Sequence, residues 1–200
     1  MKIITATAIL CVALTMGGCK AYTLAPAGKP IVVANAFKAT PIIDWSRVQT
    51  NNVEIWTVDG PQLEKITFLS GIEDGSPLSP KHWLASQLKA STEGEASKFH
   101  KDMGSIEIAE LVKETFNRSG YQKFTINNIQ PDRFVDNDGV RFDFTFLTNS
   151  GLDKEGFAIA TVIEEKLHIA IYTGTKEYYF KKYKDTVEQT LRNLSLKNGT

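Results

Sequence analysis

The chain has 200 residues, 42% of them hydrophobic, with 23 basic and 23 acidic side chains. That length holds one domain with a substantial core, and the even charge balance leaves no electrostatic footprint for nucleic acid. Both cysteines, Cys11 and Cys19, lie near the N-terminus, so no disulfide framework is available to the rest of the chain.

The first nineteen residues, MKIITATAILCVALTMGGC, set one lysine ahead of an apolar run too short to span a bilayer. Met16-Gly17-Gly18-Cys19 resembles a lipobox, with small residues before the cut. The pattern predicts a lipoprotein signal peptide over 1–18, removed when Cys19 is acylated (diacylglycerol on sulfur, palmitate-type chains). Cys11 leaves with the signal and Cys19 is capped, so the mature chain carries no thiol. Lys20 stands where enteric inner-membrane lipoproteins have Asp, which favours delivery to the outer membrane with the domain in the periplasm.

Residues 19–41 are rich in Ala, Pro and Lys and show no sustained period, which predicts a flexible tether. About 20 such residues would hold the domain roughly 25 Å from the lipid. Ile31-Val32-Val33 is the strand candidate within it. A single α+β domain is then expected over 42–200.

From Val53 the pattern turns to strand: Val53 to Val58 and Leu63 to Leu69, joined by the turn Asp59-Gly60-Pro61-Gln62. Gly71 to Gly104 loses strand character, with a short helix expected around Lys81 to Lys89. Between Ser105 and Gly120, Ile108, Leu111, Val112, Thr115 and Phe116 repeat at helical spacing, with Ser105 as cap and Gly120 as stop. Four strands follow, Phe124 to Ile129, Val140 to Leu147, Phe157 to Ile163 and Leu167 to Tyr172, separated by links short enough to require antiparallel neighbours. A last helix from Lys176 to Asn193 carries the stripe Tyr179, Tyr183, Val187, Leu191 and Leu194. The expectation is an antiparallel sheet of about six strands packed with two main helices.

Known catalytic patterns fail on their own terms. Ser86-Gln87-Leu88-Lys89 has the S-x-x-K form without the S-D-N and K-T-G elements that give it meaning. Asp136-Asn137-Asp138-Gly139 has Phe134 and Thr145 where a calcium loop needs carboxylates, and reads as a hairpin turn. His82, His100 and His168 have no spacing that presents two ligands to a metal. No catalytic residue, metal or cofactor is therefore assigned. The candidate partner loop is 71–104, which is long for a connection in a compact domain and carries His82, Trp83 and His100. The expected function is a lipid-anchored module binding another protein or an envelope component. The alternative is a small envelope hydrolase drawing on Ser86, His82 and His100.

Gly156-Phe-Ala-Ile-Ala-Thr-Val-Ile-Glu-Glu-Lys-Leu-His168, with the terminal helix Tyr179 to Leu194 behind it, resembles the PsbP-like fold family. That family includes photosystem extrinsic proteins, a Ran-binding eukaryotic protein and many bacterial lipoproteins. The likeness is one of pattern over 156–194 and of element order from about 50 to 196. Glu165 stands in place of the family's turn glycine and His168 in place of its aromatic, and no functional residue of the family maps onto this chain. The resemblance implies an α-β-α arrangement used for binding or assembly rather than catalysis, and carries over no partner.

Overall fold

The structure, a computed structural model, describes residues 22–78 and 96–197. The signal peptide, Cys19, His82, Trp83, Ser86 and the helix expected at Lys81 to Lys89 lie outside the described residues. In chain order the elements are β1 (Thr23–Ala25), β2 (Ile31–Val33), β3 (Phe37–Ala39), β4 (Trp45–Thr50), β5 (Val53–Thr57), β6 (Glu64–Ile72), α1 (Ser105–Arg118), β7 (Gln122–Phe134), β8 (Asn137–Leu147), β9 (Asp153–Ile163), β10 (Lys166–Thr175), α2 (Tyr179–Arg192) and β11 (Ser195–Leu196). An eight-stranded sheet runs β1-β4-β5-β6-β10-β9-β8-β7, and β11-β3-β2 form a second, three-stranded sheet. All pairings between these strands are antiparallel, as expected, but the strands outnumber the six read from the sequence.

Alternation divides the core into two layers. One face of the main sheet buries Trp45, Trp56, Phe68, Phe157 and Tyr172 under α2 and the small sheet. The other buries Leu69, Phe142, Phe144, Ile169 and Ile171 on the side of α1. The two helices thus cover opposite faces, giving the α-β-α order.

The tether reading is corrected from Tyr22 onward. β1 pairs with β4, Thr23 opposite Arg47 and Ala25 opposite Trp45. Ala25, Val33, Ala34 and Phe37 are fully buried. A buried carboxylate fixes this segment to the sheet: Glu54 accepts from Ala34 N at 2.7 Å and Trp56 Nε1 at 2.6 Å, and pairs with Arg47 Nε at 2.8 Å. A carboxylate removed from water must find such donors, and the backbone of the β2–β3 turn supplies one.

Helix α1 is capped one residue before the expected Ser105, which is its first helical residue. Gly104 is the N-cap, its N–H donated to the Glu107 carboxylate. It stops where Gly120, at φ +83°, donates to Asn117 O while Tyr121 N reaches Phe116 O, the Schellman pattern that satisfies the last carbonyls. Phe116, half-buried rather than buried, meets the rings of Tyr121, Phe124, Phe144 and Phe146 at 5.0 to 5.6 Å.

β7 runs five residues past the expected Ile129, through Pro131. It is an edge strand, where a missing N–H costs no ladder bond, and register shifts near Lys123 and Asn128, both at positive φ, bend it. The hairpin to β8 turns at Val135-Asp136, φ +48° and +65°, two residues earlier than the Asp136 to Gly139 reading. His168 is buried at the edge of the Phe37 ring, 5.6 Å between centroids, with Gly71 N donating to its Nδ1.

Helix α2 sits close on β10. A Cβ placed on Gly174 would lie 2.5 Å from Phe180 N and 2.6 Å from its Cα, both backbone atoms that cannot rotate away. Gly174→Ala should therefore push the first turn of α2 off the sheet and cost about 1–3 kcal/mol, read by denaturant unfolding. An unchanged midpoint would show that this approach is not tight.

Candidate functional site

Between α1 and the sheet lies a cavity of about 50 Å³. Val112, Thr115, Phe116 and Ser119 form its helical wall, Thr67, Leu69 and Ile171 its sheet wall, and Leu78, Tyr121 and Phe146 close its sides. The space exceeds one water's ~30 Å³ share of the liquid, and its lining is mainly apolar. It exists because α1 packs chiefly over β7 and leans away from β6 and β10.

Lys65 lines the same cavity beside Thr173. Its place follows from register: Lys65 pairs with Thr173 across β6–β10, and both point to the α1 side as Leu69 and Ile171 do. Burial pushes the Lys65 ammonium below its ordinary pKa. Lys154 falls on this face too, since it pairs with Thr175 on β10 and Phe146 on β8. Its Nζ donates to Gln62 O at 2.6 Å and Leu63 O at 2.9 Å. Its pKa is pushed down to about 8, first by burial, then by the Lys65 charge, with Glu64 opposing. Lys154 is held by those carbonyls and does not line the cavity, so Lys65 is the basic group on its wall, and its ammonium form favours an anion there.

Among the described residues no group of three His, Cys, Asp or Glu is placed to hold a metal. His100 does not reach the cavity. Its side chain is 61% exposed and stands 3.4 Å from Asp74 Oδ1, which also accepts from Lys101 N at 3.0 Å. The described ends of the candidate loop are pinned together by a Pro77–Lys98 bridge and by two bonds between Gly75, Ser76 and the fully buried Phe99.

Lys65, Thr67 and Lys154 were not singled out by the sequence. The available signal was Glu64-Lys65 inside the strand Leu63 to Leu69, where consecutive charges cannot both face water if both faces of the sheet are covered.

No family model matches the chain, and no curated protein matches it. Among solved structures it is similar to the solution structure of cyanobacterial PsbP (CyanoP) from Synechocystis sp. PCC 6803. The TM-score is 0.54 at 8% identity, covering 93% of this chain and 98% of that one. The fold is PsbP-like. Within this PsbP-like frame the cavity falls between the central sheet and the helix that precedes β7, and the strand pair β9–β10 that carried the resemblance forms the middle of the sheet.

Proposed function

We propose that this protein is a lipid-anchored envelope module, held at the outer membrane through Cys19, whose domain faces the periplasm and binds an envelope component without transforming it. The observation that carries the binding reading is the apolar cavity under α1 with Lys65 on its wall. An apolar space with few polar groups is the usual form of a small-ligand site, and here one of those groups, Lys65, is basic while the others are hydroxyls. The fitting ligand is small, a short apolar chain of a few carbons ending in an acidic group. The signal-peptide pattern of residues 1–19 supports the anchored location.

A soluble form beginning at Lys20 should bind butyrate saturably and in preference to butanol, followed by methyl-resolved NMR of Val112 and Leu69. Lys65→Met should reduce the preference for the acid at least about tenfold, the factor equivalent to 1.4 kcal/mol. Val112→Phe, which fills the space, should abolish binding of both. Absence of saturable binding, or binding that Val112→Phe leaves intact, would overturn the site.

A further inference from the structure

The β1 end of the sheet presents an exposed face close to the anchor. Leu24 pairs with Ser46, and Ser46 with Thr57, so these three share a face, exposed at Leu24 and Ser46 and buried at Thr57. Val48 pairs with Ile55 and Ile55 with Thr67, which lines the cavity, so this is the α1 side of the sheet. Alternation carries Tyr22 to the same side. Leu24 is 62% exposed and Tyr22 47%. The opposite side of the same strands is closed, with Ala25, Trp45 and Trp56 fully buried.

Chain length decides what meets this face. Cys19 and Tyr22 are three residues apart, a reach of about 10–11 Å even when fully extended. A bilayer's polar layer alone occupies roughly 5–8 Å on each side of its hydrocarbon core. If the acyl chains on Cys19 lie in that core, Tyr22 is left within or directly above the headgroups. A side chain with an apolar ring and a polar tip is the type that settles at that depth, and Leu24 gains by burying its exposed carbons there.

We propose that this β1–β4 surface lies on the lipid bilayer, with Tyr22 and Leu24 in the headgroup layer. The inference rests on Cys19 being the lipid anchor. The acyl chains supply the affinity; the surface supplies orientation, turning the α1 side of the sheet, and the cavity two strands further in, toward the membrane.

The test uses the full lipidated protein in vesicles of phosphatidylethanolamine and phosphatidylglycerol. Because Cys11 is removed and Cys19 acylated, Leu24→Cys gives a single thiol for a fluorophore. Ser150→Cys, in the exposed β8–β9 turn, is the control, six strand positions and about 29 Å across the sheet. Headgroup-nitroxide lipids should quench the label at 24 several-fold more than the label at 150. A second pair places the fluorophore on Ser46→Cys, with and without Leu24→Asp, and the charge should weaken its quenching. Equal quenching at 24 and 150 in protein whose mass shows the acyl groups overturns the docking and leaves the anchor standing. A mass without acyl groups, or normal processing of Cys19→Ser, overturns the anchor reading and the docking with it.

Discussion

A form of the protein beginning at Ile42 should fail to fold cooperatively, while one beginning at Lys20 should melt as a single unit. The shorter form lacks β1, β2 and β3 and with them Ala25, Val33, Ala34, Phe37 and Ala39, each at most 2% exposed. Loss of a buried Phe alone costs about 3–5 kcal/mol. Burying Val33 is worth roughly 1.5–3 kcal/mol more. Whole-domain stability is only about 5–15 kcal/mol, so the remainder is left with little or nothing. The deletion also bares the partner edge of β11 and takes the Ala34 N–H from Glu54. Thermal unfolding by near-UV circular dichroism reads the outcome. A sharp, two-state melt of the Ile42 form would show that the N-terminal strands are ornaments on an independent core.

The two buried glutamates should respond in opposite ways to the same change. Glu54 receives donors on both oxygens, so an amide there must set its NH₂ against another donor. Glu54→Gln should cost about 1–3 kcal/mol. Glu54→Ala, which leaves Arg47 facing an empty place, should cost about 3–5 kcal/mol. Glu64 collects its donors on Oε1, from Thr57 Oγ1 at 2.7 Å, Val58 N at 2.6 Å and Asp59 N at 3.0 Å, while its Oε2 is buried without a partner. Glu64→Gln keeps the accepting oxygen and removes a buried charge. Burial raises the Glu64 pKa above the ordinary carboxylate value of 4.5, against the pull of Thr57 and the two amides. A raised folded-state pKa means stability fully present below about 4.5 and lost as pH rises through the folded value. Stability measured in urea from pH 4 to 8 should therefore fall less in Glu64→Gln than in the wild type. A steeper fall in the variant would show that Glu64 is held ionised.

The parts of the fold legible in the sequence are those whose residues repeat their environment. α1 shows its stripe because Ile108, Leu111 and Val112 return to one side every turn, and β8 shows alternation because Val140, Phe142, Phe144 and Phe146 all enter one core. β1 and β3 were hidden because three residues cannot display a period, and their burial is decided by Trp45 and Glu54, distant partners that composition does not announce. β7 was cut short at Ile129, two residues before Pro131, and only its position at the sheet edge makes that proline tolerable in a strand. The cavity was missed for a different reason. A lysine within a strand reads as solvent-facing until a helix is seen to cover that face, and α1 is far from Lys65 in the chain. Of the candidate site residues, His100 stands on the surface beside Asp74, away from the cavity.

The short ladder between β1 and β4 also sets how the domain carries force. Any pull on an anchored N-terminus enters at Thr23 and is borne first by three paired residues, which separate one at a time because β1 lies at the sheet's outer edge. Next in line are the bonds from Ala27 N to Asp44 Oδ1 and Gly28 N to Pro41 O, then the β2–β3 ladder, and after it the Ala34 N–H held by the buried Glu54 carboxylate. Tension is thus met by progressively stronger attachments. Peeling the outermost strand would let out about 10 Å of slack per three residues while Trp45, Trp56 and the sheet behind them keep their packing.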